Sequence, residues 1–324
     1  MKIISNPTQG EIKKAAKALK DGHLVAFPTE TVYGLGADAS NEKAVGRVYS
    51  VKGRPVDHPL IVHISSINQL DKWAINVQDY AIKLAETFWP GPMTLIVKRS
   101  NLVKNFITGN QDSVGIRIPA HSTALSLLDQ FERIGGEGIA APSANRFGAV
   151  SPTTASAVED ELVNFLSIND VILSNGQSTI GIESTIINCI NSTPTILRPG
   201  AITREMITSI IQTDLSYETE SSIKVPGSQS THYSPRAMVF LDKLAKAGDG
   251  FIAMANISTP KGAIRLASPS TAEDYANCLY EALRLCDHKN IKKVIAIQPT
   301  GDGIALAIRD RLRKSASTSK SIDN

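Results

Sequence analysis

The segment 27–59 begins F-P-T-E-T-V-Y-G-L-G-A-D and ends V-K-G-R-P-V-D-H-P. Its hydrophobic periodicity predicts a strand at 24–27, a loop at 28–36, a helix at 41–51 and a strand at 60–64. Lys52 and Arg54 stand on either side of a glycine in the turn between that helix and the second strand. Such a turn can direct both cations into one opening, where they would bind an anion. The alternative is a solvated basic turn, since Lys and Arg also suit a helix C-terminus.

A third strand is predicted in V-G-I-R-I-P at 114–119, with Arg117 near its middle. Strand alternation puts Gly115 and Arg117 on the face opposite the apolar residues, and it does the same for His63 in the strand at 60–64. An arginine beside a glycine on one sheet face suggests a polar cavity. The alternatives are a solvent-facing sheet surface for Arg117 and a structural role for His63.

Small hydroxyl and amide side chains follow a strand predicted at 138–142, in the sequence S-A-N-R-F-G-A-V-S-P-T at 143–153. Ser151 or Thr153 could cap the helix expected to begin near 154, and such a strand end suits a phosphate or a ribose. The alternative is an ordinary capping loop. Arg198 adds a cation at a further strand end, before Pro-Gly. Neither common phosphate-loop motif is complete, so a nucleotide would be bound without one.

Composition bounds the class of protein. A length of 324 residues favours two domains, and 42% hydrophobic with 20% charged residues is typical of globular proteins. The net charge of +3 argues against a surface built mainly to coat nucleic acid. Three scattered cysteines indicate a reducing compartment. Without a signal-peptide core or an apolar run of membrane-spanning length, the chain is expected to be soluble and cytoplasmic, with no membrane contact.

Two α/β units are predicted, at 1–212 and 237–324, joined by a linker at 213–236. Residues 224–236 read K-V-P-G-S-Q-S-T-H-Y-S-P-R, a composition that marks a linker. His232 and Tyr233 are less expected of a mere spacer, so this segment could bind a ligand or pack on a domain. The second unit shows strands at 237–241, 251–255 and 293–297 with helices at 272–286 and 304–313, and no catalytic constellation is evident in it.

Nearly the whole chain resembles the two-domain form of the YrdC-like family, the L-threonylcarbamoyladenylate synthases. The motifs that carry the resemblance occur in the family's order: P-T-E-T-V-Y-G-L-G, K-G-R-P, L-I-V-H-I, V-G-I-R-I-P, A-P-S-A-N, S-P-T, G-I-E-S-T-I, I-L-R-P-G and H-Y-S-P. The resemblance implies an α/β fold: a YrdC-like twisted open sheet with a large concave cavity, plus a smaller C-terminal α/β domain of Rossmann-like type.

The resemblance also implies a reaction. L-threonine, bicarbonate or CO2, and ATP would yield threonylcarbamoyl-AMP and pyrophosphate, with magnesium accompanying ATP. A downstream threonylcarbamoyl transferase would pass the group to tRNA, and a direct contact with tRNA is left open. Because the attacking carbamate belongs to the substrate, the protein needs positioned cations rather than an activated serine or cysteine.

Site residues are carried over from the family by position. The catalytic set is Lys52, Arg54, Ser143 and Asn145. The ATP-binding set is Arg54, His58, Ser113, Ser143, Ser151, Arg198 and Tyr233. The threonine-binding set is Thr31, His63, Arg117, Ala141 through its backbone, and Ser184, with no metal-ligating side chain expected. His58 departs from the family pattern, which commonly has asparagine there.

Two other functions compete with this interpretation. The same type of domain could hold double-stranded RNA in a basic concavity, as an RNA or ribosome maturation factor would. The small net charge and the discrete Ser, Asn and Arg residues argue against that role. A carbamoyl-phosphate-using activity, as in hydrogenase maturation, is disfavoured because the accompanying acylphosphatase and zinc-finger segments are missing.

Overall fold

The computed structural model describes residues 1–213, 215–217, 223–227 and 232–316. Its helices are α1 (Gln9–Lys20), α2 (Glu42–Lys52), α3 (Leu70–Trp73), α4 (Asp79–Phe88), α5 (Asn105–Thr108), α6 (Ser122–Arg133), α7 (Ala155–Leu162), α8 (Arg204–Ile211), α9 (Ala272–His288) and α10 (Ile304–Ala316), with a 3-10 turn at Ile67–Gln69. Its strands are β1 (Lys2–Ser5), β2 (Val25–Phe27), β3 (Gly34–Asp38), β4 (Ile61–His63), β5 (Met93–Lys98), β6 (Ser113–Arg117), β7 (Ile139–Ala140), β8 (Val171–Ser174), β9 (Thr185–Asn188), β10 (Thr195–Arg198), β11 (Ser216–Tyr217), β12 (Met238–Leu241), β13 (Gly250–Ile252), β14 (Ile264–Ala267) and β15 (Lys293–Ala296).

The first eleven strands form one mixed sheet in the order β1-β8-β2-β3-β7-β4-β6-β5-β9-β10-β11. Strands β4 and β6 are parallel neighbours, and their register sets His63 directly beside Arg117. The next strands on either side, β7 and β5, run antiparallel to them. The two polar residues that alternation placed on the less apolar face therefore lie side by side near the middle of the sheet.

Strand alternation correctly predicted which side chains form the main core. Leu60, Val62, Ile64, Val114, Ile116 and Ile118 all belong to the largest apolar cluster and are at most 3% exposed. Burying a side chain of this size contributes about 2 kcal/mol. The opposite face is also buried, since Arg117 is only 4% exposed. The alternative of a solvent-facing sheet surface at Arg117 is thus wrong.

Three local predictions were wrong or missed. The expected loop at 28–36 ends early, because Gly34–Asp38 forms β3 against β2. A Cβ on Gly36 would lie 2.6 Å from Ile139 Cγ2, so the glycine permits close approach of neighbouring side chains. Strands β1 and β14 are short, and the sequence did not indicate them. Thr154, rather than Ser151 or Thr153, caps α7 by accepting a hydrogen bond from Ala157 N at 3.2 Å.

The last four strands form a separate parallel sheet in the order β12-β15-β13-β14. Helices α9 and α10 pack on each other, and residues from both of them join an apolar cluster with Val32, Val150 and Ile182 of the first unit. The division at 1–212, 213–236 and 237–324 stays a prediction. Strand β11 lies inside the expected linker, and residues 214, 218–222 and 228–231 of that linker lie outside the described residues.

In the part of the chain that the structure describes, no helix has the length and apolar composition needed to cross a membrane.

Candidate active site

A cavity opens where the ends of several central strands meet the segment before β12. Its lining includes Thr31, Arg54, His63, Arg117, Ala141, Ser143, Ser184, Arg198 and Tyr233, all of which the sequence analysis had singled out. The lining also includes Glu183 and linker residues Pro226, Gly227 and His232. Five other predicted residues, Lys52, His58, Ser113, Asn145 and Ser151, are not among the lining residues described. The structure thus brings together most of a set that spans 203 positions of sequence, from 31 to 233.

Lys52 ends α2 and is 2% exposed. Its Nζ donates to the Ser143 carbonyl at 2.6 Å and also to the Asn145 carbonyl. Burial, reinforced by nearby Arg54, holds the pKa of this amine well below its usual value. Gly53 follows in the left-handed region at φ 64°, where a Cβ would lie 2.8 Å from Arg146 Nη2. Lys52 therefore ties the basic turn to the loop that carries Ser143 and Asn145.

Arg54 enters the cavity from the same turn and is 7% exposed. Its Nη2 donates to the Pro59 carbonyl at 2.9 Å and its Nε to the His58 carbonyl at 3.3 Å. Burial lowers the pKa of this guanidinium to about 10, so it stays charged at neutral pH. The backbone of its own turn orients the cation, and the alternative of a solvated basic turn is wrong.

His58 lies outside the cavity lining. Its ring packs edge-on against Phe147 at 5.4 Å, and its Nε2 is 3.9 Å from Asp57 Oδ1. Burial, followed by the charge of Arg54, lowers the pKa of the imidazole. Ser113 is also buried, at the start of β6 opposite Lys98. The binding roles assigned to both residues by resemblance stay predictions.

A buried carboxylate that was not predicted from the sequence lies beside Arg117. Arg117 Nη2 lies 2.7 Å from Glu30 Oε1, and both side chains are almost fully buried. The contact is an ion pair without a well-directed hydrogen bond, so Nη2 and both Glu30 oxygens keep unused hydrogen-bonding capacity. Arg117 is held from its other edge, where Nε donates to the Gly91 carbonyl at 3.2 Å. The sequence signal that could have indicated Glu30 is an acidic residue three positions after a buried strand, in P-T-E-T.

His63 lies next to Arg117 and is 4% exposed. Its ring meets Phe27 edge-on at 6.0 Å. Burial, followed by the charge of Arg117, lowers the pKa of His63 to about 3. His232, on the linker side, has its pKa lowered to about 3 mainly by burial as well. Both rings are therefore neutral at physiological pH.

These two histidines predict an acid-side loss of stability. Because their folded pKa lies below the unfolded value of about 6.5, their contribution is complete above pH 6.5 and declines as the pH falls toward 3. At pH 5 each should lower the free energy of unfolding by roughly 2 kcal/mol. Urea unfolding at pH 7.5 and at pH 5 measures this change in the free energy of unfolding. His63→Gln should lose roughly 2 kcal/mol less than the wild type between these two pH values. His23→Gln, at a partly exposed ring, is the control variant, and equal losses for the two variants would contradict the assignment.

Arg198 connects β10, the loop before β9 and the linker. Its Nε and Nη2 donate to the Ser184 carbonyl at 3.0 and 2.9 Å, and Nη2 also reaches Ser184 Oγ at 3.1 Å. Nη1 donates to the Pro226 carbonyl at 2.8 Å. Ser184 Oγ is further fixed by Thr94 Oγ1 at 2.8 Å. A single buried guanidinium thus holds two walls of the cavity.

Among the described residues, six of the eleven buried side-chain polar atoms without a hydrogen-bond partner lie in this cavity or next to it. His63 Nδ1, Arg117 Nη2 and Tyr233 Oη belong to its lining, Glu30 Oε1 and Oε2 lie beside Arg117, and Asn145 Oδ1 lies in the loop held by Lys52. Asn145 is otherwise well anchored, since its Nδ2 donates to the Arg146 and Ala149 carbonyls at 2.7 and 2.9 Å. Such atoms are uncommon in folded proteins, and their clustering indicates where a polar ligand would bind.

Comparison with known proteins agrees with this geometry. The profile of the Sua5/YciO/YrdC family, described as "Telomere recombination", matches residues 17–200. The profile described as "Threonylcarbamoyl-AMP synthase, C-terminal domain" matches residues 202–317. The threonylcarbamoyl-AMP synthase of Pyrococcus abyssi is 38% identical over 326 residues, which cover 94% of each chain. That of Bacillus subtilis is 37% identical over 332 residues, covering 94% of this chain and 93% of its own.

Solved structures give the same relationship. P. abyssi Sua5 in complex with L-threonine superposes with a TM-score of 0.87 at 34% identity, covering 98% of this chain and 97% of that one. Escherichia coli YciO, at 22% identity and a TM-score of 0.52, shares the fold of the first unit. Fold and site define a two-domain α/β protein with a buried, arginine-lined cavity. The chain belongs to the Sua5/YciO/YrdC family, in the two-domain form that carries the threonylcarbamoyl-AMP synthase C-terminal domain.

Proposed function

We propose that the chain synthesises L-threonylcarbamoyl-AMP from L-threonine, bicarbonate or CO2, and ATP, releasing pyrophosphate. The observation that carries this proposal is the cavity in which Arg54, Arg117 and Arg198 converge beside buried polar atoms that have no partner. The related P. abyssi and B. subtilis proteins are named for this activity, and the P. abyssi protein has been solved with L-threonine.

The geometry suits an amino acid at one end. Arg117 would receive the threonine carboxylate through Nη2, which lacks a directed partner. Neutral His63 can donate or accept one hydrogen bond at the same place without repelling the amine. Thr31 and Ser184 offer hydroxyls to the threonine side chain or carboxylate, and Ala141 offers its backbone.

The geometry also suits transfer of the adenylyl group of ATP. Once the threonine nitrogen has been carboxylated, a carbamate oxygen attacks the α-phosphorus of ATP, and the bond to the bridging oxygen breaks to release pyrophosphate. Arg54 and Arg198 are positioned to neutralise phosphate charge, and Lys52 fixes the Ser143–Asn145 loop beside them. Cations held in place before the reaction need no reorganisation when the negative charge shifts toward the leaving group.

Magnesium would enter with ATP. Mg²⁺ bound with ATP usually keeps several waters and is held largely by phosphate oxygens. Asn145 Oδ1 is a buried acceptor without a hydrogen-bond partner in the loop that carries Ser143, so it would be available to assist. The bound ion would offset part of the triphosphate charge.

Described residues of the predicted linker also belong to the cavity. Pro226, Gly227, His232 and Tyr233 are part of its lining, so they would lie against the bound nucleotide. In that position they would help to exclude water from the reaction.

The competing functions fit less well. Arg54, Arg117 and Arg198 are at most 7% exposed, so they cannot contact the phosphate backbone of a double-stranded RNA.

The product, a mixed anhydride, would be consumed by a threonylcarbamoyl transferase that acts on tRNA. We accordingly propose that the protein acts in the cytoplasm, where that transferase and its tRNA substrates are found, and a direct contact with tRNA belongs to the same proposal.

The proposal predicts a strict substrate requirement. Pyrophosphate release from ATP should need both L-threonine and bicarbonate, and mass spectrometry should detect threonylcarbamoyl-AMP after incubation with all three. L-serine in place of threonine is a matched control, because it lacks only the methyl group. Equal pyrophosphate release without threonine, or the absence of the adenylate from an otherwise active reaction, would contradict the function.

A further inference from the structure

Glu183 is a cavity carboxylate bound by donors from both units of the chain. Ser151 Oγ donates to its Oε1 at 2.6 Å. Tyr280 Oη, from α9, and Arg311 Nε, from α10, each donate to its Oε2 at 2.9 Å. Glu183 is only 7% exposed, and it remains ionised because Arg311 and Arg198 lower its pKa to about 2 against the effect of burial. No catalytic constellation is evident in the sequence of the second unit, yet Tyr280 and Arg311 of that unit lie one contact from the cavity.

Arg311 is completely buried and has a partner on each side of its guanidinium. Nη1 donates to the Pro199 carbonyl at 2.9 Å and to Asp310 at 2.7 Å, while Nη2 lies 3.4 Å from the Glu183 carbonyl. A buried arginine whose guanidinium nitrogens all have partners is held in one orientation. Glu183 is therefore held against a rigid support that belongs to α10.

Tyr280 and Arg311 also contact Tyr233. The Tyr233 ring stacks on Tyr280 at 5.6 Å, and the Arg311 guanidinium lies 5.5 Å from its centroid. Ser315 Oγ, on α10, donates to the Tyr233 carbonyl at 2.9 Å. Tyr233 adopts a left-handed backbone at φ 62°, which a tyrosine keeps only when its surroundings enforce it.

Helix α9 also supports the two loops that carry Ser151 and Glu183. Asn277 Nδ2 donates to the carbonyls of Ser178 and Thr179 at 2.9 and 3.0 Å. A Cβ on Gly181 would lie 2.5 Å from the Ala276 carbonyl oxygen, so the loop backbone rests directly on the helix. Thr153 Oγ1 donates to Glu281 at 2.6 Å, which fixes the other loop.

We propose that Tyr280 and Arg311 are positioning residues for the nucleotide side of the site. They act through Glu183, which orients Ser151, and through their packing on Tyr233. The inference rests on the proposed function, because it takes Ser151 and Tyr233 as ATP-side residues. It assigns the C-terminal unit a part in ATP binding. The effect on threonine should be smaller, because no hydrogen bond, ion pair or ring contact described for the side chains of Glu30, His63 and Arg117 involves α9 or α10, and only Ser184 of the threonine-binding set directly follows Glu183.

Calorimetric titration of the full chain with Mg-ATP and, separately, with L-threonine tests the inference without requiring turnover. Tyr280→Phe removes one hydroxyl and should weaken ATP binding about tenfold, the scale of one lost hydrogen bond to a charged group. Arg311→Met should weaken it at least as much. The dissociation constant for threonine should change clearly less than that for ATP in both variants, and retained threonine binding also shows that the first unit remains folded. Arg313→Gln, at an exposed arginine of the same helix, is the matched control and should match wild type.

A double variant distinguishes positioning from general destabilisation. If Arg311 acts through Glu183, Glu183→Gln combined with Arg311→Met should weaken ATP binding less than the product of the two single effects. Wild-type affinity for ATP in Tyr280→Phe and Arg311→Met would overturn the inference, as would multiplicative single effects or equal losses for ATP and threonine. A wild-type chain that binds ATP but releases no threonine-dependent pyrophosphate would instead overturn the proposed function while leaving this test intact. A wild-type chain that binds no ATP would overturn both.

Discussion

Replacing Lys52 by alanine is expected to lower the rate of pyrophosphate release by about 10³-fold, the upper range for removing one preorganised electrostatic contact. The structure supplies the reason. Lys52 Nζ is the donor that joins the basic turn to the carbonyls of Ser143 and Asn145, so its removal frees both sides of the proposed phosphate site. Steady-state release of pyrophosphate, with ATP and threonine varied separately, measures the loss.

The same substitution should also affect folding. Two buried carbonyls lose their donor, and each such loss costs about 1–3 kcal/mol. Lys52→Met keeps most of the side-chain volume and isolates the loss of the amine from the loss of packing. Lys43→Ala, at an exposed lysine of the same helix, should retain wild-type stability and turnover. Turnover near the wild-type rate in Lys52→Ala would exclude Lys52 from the catalytic set.

The second large effect is expected at Arg117. Changing Arg117 to methionine should abolish measurable threonine binding, because the proposed carboxylate partner is gone. It should also lower the free energy of unfolding by about 3–5 kcal/mol, since Glu30 would be left as an unpaired buried charge. Calorimetric titration with L-threonine and urea unfolding measure the two consequences independently.

A double variant separates those two consequences. Glu30→Gln combined with Arg117→Met removes both charges, so most of the lost stability should return while threonine binding stays absent. Arg133→Gln, at an exposed arginine, serves as the control and should behave as wild type. Retention of threonine affinity in Arg117→Met would exclude Arg117 as the carboxylate partner, whatever its effect on stability.

Much of the fold was predictable because its determinants are local. In helix α1 the apolar residues Ile12, Ala15, Ala16 and Leu19 recur at helical spacing, and all four are buried. Strand β6 alternates as predicted, with Ile116 in the core and Arg117 in the cavity. Strand β3 was missed because its glycines suit a loop by propensity. Only the approach of β7 and the Phe27 ring explains why Gly36 lies in a strand.

The sequence by itself determined the alternating α/β elements, the turn that carries Arg54 and the strands that carry Arg117 and Arg198, because periodicity and turn chemistry act over a few residues. Only the tertiary structure decided how those cations are held. It paired Arg117 with Glu30 and turned Lys52 inward to the Ser143 loop. It also joined Arg311 to Glu183 across 128 positions of sequence. Such contacts depend on which distant segments meet when the chain folds, and no local pattern of residues specifies that.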